Sequence, residues 1–154
     1  MNVALNQLPF SQACENNKAP ITKALHEVFE DRHRVLEIGS GTGQHAVYFS
    51  DQLPHLHWQC SDQSLDGRGL VERLQHLNSP RLPLPITLNV YQQKPWPENC
   101  DAIYTANTFH IMHWSGVVRF WEGAAKTLPY GGKVAVYGPF NYGGIFTSES
   151  NERF

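Results

Sequence analysis

Three glycines alternate with other residues in the stretch VLEIGSGTGQHAVYFS, from Val35 to Ser50. The apolar residues before them predict a buried strand, and the residues after them have helical spacing. A glycine-rich turn at such a junction lets a ligand approach bare backbone and directs helix N-terminal N–H groups at polar ligand atoms. The alternative is a tight turn that needs glycine for its shape alone. The strand–loop–helix context favours a loop that binds a nucleotide-like ligand.

The spacing of the glycines separates the ligand classes. A dinucleotide fingerprint, G-x-G-x-x-G, places its third glycine inside the helix. Here the pattern is Gly39-x-Gly41-x-Gly43, and the helical position that follows is Gln44 rather than glycine. This spacing disfavours a nicotinamide-dependent oxidoreductase. The lysine of a P-loop is also missing from the motif, which excludes that class of nucleotide site.

The pattern Glu37-x-Gly39-x-Gly41-x-Gly43 resembles the first motif of class I S-adenosylmethionine (SAM) methyltransferases. The resemblance implies that Glu37 organises the site near the aminoacyl group of SAM. It also implies that an acid at the end of the second strand accepts hydrogen bonds from both ribose hydroxyls. Asp62 stands at that position, directly after HWQCS; the alternative role for a lone aspartate is a helix N-cap or turn residue.

Polar residues also follow the third and fourth predicted strands. The resemblance places Asn89 near the adenine amino group, from which its amide oxygen can accept a hydrogen bond. Asn107 and His110 should face the cleft, because ligands of open α/β sheets bind at the carboxyl ends of strands. We predict His110 as a catalytic base and Asn107 as the residue that orients the acceptor. An Asp/Asn-Pro-Pro-aromatic motif is missing, which argues against methylation of nucleobases or glutamine amides.

Strand and helix patterns alternate from residue 20 onward, which predicts right-handed βαβ crossovers and a parallel sheet covered on both faces. The expected fold is α/β and Rossmann-like, with strand order 3-2-1-4-5 and an N-terminal helix over the ligand. Pro20 should lie in the first turn of that helix. The predicted helices are Ile21–Phe29, 44–53, Gly69–Leu77 and Trp114–Leu128, and the predicted strands are 34–38, Leu56–Ser61, Leu84–Val90, Asp101–Thr108 and Lys133–Gly138.

The composition indicates a single globular domain, residues 1–154. Twelve Lys and Arg residues against 14 Asp and Glu give a net charge of −2, so the chain lacks the basic surface of a nucleic-acid binder. Three separated cysteines without a C-x-x-C pair suggest neither a disulfide framework nor a zinc site. The first residues do not have the pattern of a signal peptide, and we find no run of apolar residues long enough to span a membrane. We therefore expect a cytoplasmic protein.

Several blocks together resemble the methyltransferase-like 26 family, a group of unknown function: ENNKAPI, VLEIGSGTGQHAVYF, LPHLHWQCSD, TANTFHIMHW and YGPFNYGGIFTSESN. The resemblance runs from about residue 10 to the last residue, and it implies a SAM methyltransferase fold without a known substrate. It implies that Asn16, Asn17 and Lys18 close over the ligand and that Phe140, Asn141 and Tyr142 line the acceptor side. The cofactor-binding residues that we predict are Asn17, Lys18, Glu37, Gly39, Ser40, Gly41, Thr42, Gly43, His45, Asp62, Gln63, Asn89, Val90, Ala106 and Asn107.

The end of the chain leads to a further expectation. Methyltransferases of this fold carry an antiparallel hairpin after strand five, and the residues that follow that strand here, Pro139 to Phe154, do not have the pattern of two more strands. An apolar edge strand invites pairing with another chain. We therefore expect either a longer polypeptide or a homodimer that covers the edge of strand five.

Other candidate features have simpler explanations. His55, His57, His110 and His113 could suggest a metal, but no carboxylate or cysteine cluster accompanies them, so we predict no metal site. The helical spacing of Trp114, Phe120 and Trp121 favours the core. Lys18 could equally be a solvated charge. The predicted function is SAM-dependent methyl transfer to a small-molecule acceptor; the alternative is a non-catalytic SAM-binding module that works through a protein partner.

Overall fold

The computed structural model describes residues 4–141, 143–145 and 149. Its strands form one parallel five-stranded sheet in the order β3-β2-β1-β4-β5, as predicted. The strands are β1 Arg34–Ile38, β2 His57–Asp62, β3 Ile86–Thr87, β4 Ala102–Ala106 and β5 Lys133–Tyr137. The helices are α1 Gln12–Val28, α2 Gln44–Gln52, α3 Leu70–Leu77 and α4 Trp114–Thr127, with short 3₁₀ turns at Leu5–Gln7 and Phe109–Ile111.

Both faces of the sheet are buried because successive side chains of each strand point to opposite sides. In β1, Val35 belongs to the cluster that contains Phe49 of α2, whereas Leu36 belongs to the cluster that contains Phe120 of α4. The fully buried Trp58 of β2 lies in the first cluster. Within the described part of the chain, no helix is long and apolar enough to cross a membrane.

Helix α1 begins at Gln12, nine residues before the predicted start, and Pro20 lies inside it rather than in its first turn. Ser11 caps the helix by accepting a hydrogen bond from the Cys14 N–H at 3.3 Å. The buried face of α1 consists of Asn17, Ile21 and Leu25. The buried position one turn before Ile21 is the polar residue Asn17. The periodic spacing of apolar residues therefore predicts only the second half of the helix.

Strand β3 contains two residues rather than the seven predicted. Pro85 has no N–H to donate to a strand ladder, and it directly precedes Ile86. After the strand, the Asn89 side chain accepts a hydrogen bond from the Tyr91 N–H at 3.0 Å and turns the chain away. Strand β4 also ends early, because Asn107 has a left-handed backbone with φ of 54°.

The prediction that Trp114 and Trp121 are core residues is wrong. Their side chains are 78% and 46% exposed, whereas Phe120 is fully buried. Successive helix residues are rotated by about 100°, so Trp121 lies on the flank of the helix beside the buried Phe120. Trp114 starts the helix seven residues before Trp121, which is about two turns, and therefore lies on the same flank.

Candidate functional site

The glycine loop joins β1 to α2, and a side chain would meet different surroundings at each of its three glycines. All three have a positive φ, of 76°, 56° and 77°. A Cβ on Gly39 would lie 2.4 Å from Cγ2 of Thr108, and one on Gly43 would lie 2.7 Å from Cδ1 of Leu70. A Cβ on Gly41 would meet no atom within 4 Å. Gly41 is therefore the glycine whose missing side chain leaves open space.

Asp62 ends β2 and holds the glycine loop in place. Its Oδ2 accepts a hydrogen bond from the Gly41 N–H at 2.8 Å, and the N–H groups of Gly39 and Ser40 donate to the Ser61 carbonyl at 3.0 and 2.9 Å. The carboxylate is buried, and Arg68 Nη1 lies 3.9 Å from Oδ2. The N-cap of the next helix is Gly69, so Asp62 is not the helix cap that a lone aspartate could have been.

Glu37 places a buried carboxylate beneath the loop. Its side chain is 2% exposed, and its Oε2 accepts hydrogen bonds from Trp58 Nε1 and Ser40 Oγ, both at 2.9 Å. Cys60 Sγ lies 3.6 Å from the same oxygen. Burial raises the pKa of Glu37 from 4.5 to about 7, although these donors oppose the rise. A carboxyl with this pKa changes its charge near neutral pH.

A cavity of about 360 Å³ opens at the carboxyl ends of the strands. The structure brings most of the predicted cofactor residues together around it. Those that line the cavity are Glu37, Gly39, Ser40, Gly41, Thr42, His45, Asp62, Gln63, Asn89, Val90, Ala106 and Asn107. Predicted site residues that do not line it are Asn17, Lys18, Gly43, His110, Phe140 and Asn141. Tyr142 lies outside the described residues.

Asn17 contacts the cavity wall indirectly, through a hydrogen bond with His45. His45 lines the cavity, and its Nε2–H donates to Asn17 Oδ1 at 2.6 Å, because an amide oxygen can only accept. The opposite ring nitrogen, Nδ1, then accepts from the Tyr104 hydroxyl at 3.2 Å. Burial lowers the pKa of His45 to about 4. A neutral His45 therefore links α1 to α2 and β4 behind the cavity wall.

Lys18 lies outside the cavity. It forms an ion pair with Glu15 one turn earlier in α1, and its ammonium lies 4.7 Å from the centroid of the Tyr48 ring. The structure thus pairs the Lys18 charge with Glu15 on the outside of the cavity.

The segment from Pro9 to Cys14 covers the glycine loop. Ser11 N–H donates to Gln44 Oε1 at 2.5 Å, at the start of α2. Arg73 of α3 donates to the Thr42 carbonyl at 2.8 Å and to the Pro9 carbonyl at 2.7 Å. These bonds fix the start of α1 beside the loop, so Ser11, Ala13 and Cys14 also line the cavity. Their sequence carries no motif that would have identified them.

At the end of β4 the structure separates the two predicted catalytic residues. Asn107 lines the cavity, and its N–H donates to the Tyr137 carbonyl at 2.8 Å. His110 belongs to the following 3₁₀ turn and does not line the cavity. The residues of that segment that do line it are Thr108, Ile111 and Met112. The sequence prediction named His110 in this segment and missed Thr108, Ile111 and Met112, as it also missed Arg68, Leu88 and Tyr91.

Comparison with known proteins gives a family match over most of the chain. The model of a family described as a protein of unknown function, DUF938, matches residues 8–154. This agrees with the predicted group of unknown function, whereas the methyltransferase-like 26 assignment stays a prediction.

Similar folds occur among solved SAM-dependent methyltransferases. The apo form of SibL has a TM-score of 0.71 at 19% identity and covers 85% of this chain. Mitomycin 7-O-methyltransferase MmcR has a TM-score of 0.74 at 15% identity and covers 92%. Coclaurine N-methyltransferase bound to N-methylheliamine and SAH has a TM-score of 0.63 at 12% identity and covers 88%. This chain spans 38%, 40% and 38% of the respective proteins. The likeness confirms the predicted Rossmann-like fold.

Proposed function

The chain belongs to the DUF938 family, and we propose that it is a SAM-dependent methyltransferase that acts on a small-molecule acceptor. The observation that carries the proposal is the single cavity that Glu37, the glycine loop and Asp62 line together. Strand order reverses between β1 and β4, and open α/β sheets bind ligands at the carboxyl ends of strands beside such a point.

The lining residues fit SAM in size and chemistry. A volume of about 360 Å³ lies in the range of small-ligand sites, roughly 300–1,000 Å³. Asp62 would accept from the ribose hydroxyls, and the open space at Gly41 would admit the ligand backbone. Leu88 and Asn89 follow β3 and offer an apolar surface and an amide oxygen for the adenine. The SAH in coclaurine N-methyltransferase supports the same class of ligand here.

When bound, SAM would supply an activated methyl group. An acceptor lone pair would form the new bond as the carbon–sulfur bond breaks with its electrons left on sulfur, and a proton on the acceptor atom would be released to solvent. The protein then has to align the acceptor and exclude water. Asn107 provides an amide at the end of β4, and the segment from Pro9 to Cys14 covers the glycine loop. His110 lies outside the cavity lining, so the proposal needs no base at that position.

The binding part of the proposal is tested with two matched glycine variants. Gly41→Ala and Gly131→Ala both place a Cβ where no atom lies within 4 Å, on a backbone with positive φ. Each should lose about 1 kcal/mol of unfolding free energy from backbone strain. Calorimetric titration with SAH should show that Gly131→Ala binds like the wild type and that Gly41→Ala has lost most of its affinity.

SAM should bind the wild type with micromolar affinity and NAD should not. Tight NAD binding without a response to SAH would refute the proposed ligand. Equal affinities of the two glycine variants would show that the ligand binds elsewhere. The alternative, a module without turnover, predicts SAH binding but no methyl transfer from labelled SAM to any component of a metabolite extract.

A further inference from the structure

One wall of the cavity is apolar and remains open to solvent. Its residues are Tyr91, which follows β3, and Ile111 and Met112, which follow β4. The side chains of Tyr91 and Ile111 are 40% and 64% exposed. The charged residues of the lining are on other elements: Glu37 in β1, Asp62 at the end of β2 and Arg68 in the loop after it.

Hydrogen bonds and close packing hold the backbone around this wall. The Tyr91 hydroxyl accepts a hydrogen bond from the His113 N–H at 3.1 Å. A Cβ on Gly116 would lie 2.4 Å from that hydroxyl oxygen, so the ring packs directly against the first turn of α4. The N–H groups of Ile111 and Met112 donate within the 3₁₀ turn, at 3.1 and 3.3 Å.

A further exposed apolar residue follows the wall along the chain. Trp114 begins α4 three residues after Ile111 and is 78% exposed. Large apolar side chains that are exposed at a cavity are typical of a ligand-binding surface. Apolar surface of this kind contributes about 25 cal/mol per Å² when a ligand covers it.

We propose that Tyr91, Ile111 and Met112 hold the body of an uncharged, predominantly apolar methyl acceptor. The proposal rests on the SAM-dependent function proposed above and specifies its substrate class. A charged acceptor would lose water against this wall without gaining an opposite charge there, and that loss is unfavourable. The charged residues of the lining do not supply one. Glu37 and Asp62 hold the glycine loop through Ser40 Oγ and Gly41 N–H, and Arg68 Nη1 lies 3.9 Å from Asp62 Oδ2.

Three naphthalene probes that differ in charge test the inference. They are 2-naphthol, which is neutral, 2-naphthoic acid, which is anionic, and 2-(aminomethyl)naphthalene, which is cationic at pH 7. Each is titrated calorimetrically into wild-type protein saturated with SAH. The neutral probe should bind at least about tenfold more tightly than either charged probe.

A matched pair of variants locates the binding surface. Ile111→Asp adds a charge to the proposed wall, and Leu84→Asp adds one at a similarly exposed position outside the cavity lining. Ile111→Asp should weaken 2-naphthol binding by about tenfold, from lost apolar contact and an added charge. Its SAH affinity should fall by less than its 2-naphthol affinity, and Leu84→Asp, outside the cavity lining, should change neither affinity. Ile111→Ala, which adds no charge, should weaken 2-naphthol binding in the same direction.

The outcomes separate the two proposals. SAH binding combined with equal or tighter binding of a charged probe would overturn the substrate class and leave the proposed function standing. Unchanged 2-naphthol affinity in both Ile111 variants would also overturn it. Failure of the wild type to bind SAH would refute the proposed function, and the acceptor site with it.

Discussion

The buried carboxyl of Glu37 should make the protein less stable as the pH rises from about 4.5 to about 7. Its pKa in the folded protein is about 7, against an ordinary value of 4.5, because burial disfavours the charged form. A pKa difference of one corresponds to about 1.4 kcal/mol. The difference of about 2.5 therefore corresponds to about 3 kcal/mol of unfolding free energy.

The direction follows from which state holds the proton. Below pH 4.5 the carboxyl is protonated in both states, and its contribution to stability is fully present. Between pH 4.5 and 7 the unfolded chain releases the proton while the folded protein retains it, so the unfolding free energy falls by about 1.4 kcal/mol per pH unit. Above pH 7 both states are ionised, and no further stability is lost through this group.

Glu37→Gln removes the charge and keeps an oxygen that can accept from Trp58 Nε1 and Ser40 Oγ. Urea unfolding of wild type and variant at pH 5 and pH 8 measures the effect, because other titrating groups cancel in the difference between the two proteins. The variant should gain about 3 kcal/mol relative to the wild type between these pH values. Glu72→Gln on the exposed surface of α3 is the control and should show no comparable gain.

Parallel pH profiles for wild type and Glu37→Gln would refute this reasoning. They would mean that the carboxyl ionises as readily in the folded protein as in the unfolded chain. A gain of the variant at low pH instead of high pH would show that the donors around Oε2 outweigh burial.

Three further predictions concern the ligand site and the sheet edge. Asp62→Ala should weaken SAH binding by about 1–3 kcal/mol in calorimetry, because the ribose hydroxyls lose a charged acceptor; Asp66→Ala in the next loop should not. His110→Ala should leave SAH affinity unchanged, and a loss as large as that of Asp62→Ala would place His110 at the ligand. The edge strand β5 should pair with a second subunit, because an apolar edge strand favours pairing with another chain; a monodisperse, catalytically active monomer of 17.5 kDa in light scattering would contradict this.

The sheet and the cofactor side of the site could be predicted because their signals are local. Each strand of the central sheet shows the alternation or apolar run of a buried strand, and the glycine spacing lies within five residues of β1. Asp62 was identified by its place at the end of a strand. In the structure it also accepts from Gly41 N–H, so the loop motif and the acid form one hydrogen-bonded unit.

The start of α1 could not be predicted from periodicity, because its buried face includes Asn17. That side chain is compatible with burial since His45, 28 residues later, donates to it. A pattern of apolar residues does not record a hydrogen bond between distant side chains. The resemblance placed Asn17 at the ligand, whereas the structure places it behind His45.

The proposed acceptor wall depends more on tertiary structure than the glycine loop does. Ile111 and Met112 lie in a short segment without strand or helix periodicity, between the left-handed Asn107 and the start of α4. Tyr91 packs against that start through His113 N–H and Gly116, and this contact joins the segments that follow β3 and β4 in one wall. The proposed ligand class thus depends on a motif of consecutive residues. The proposed acceptor class depends on side chains that come together from separate segments of the chain. A search for the acceptor should therefore begin from the apolar wall rather than from the polar residues of the sequence.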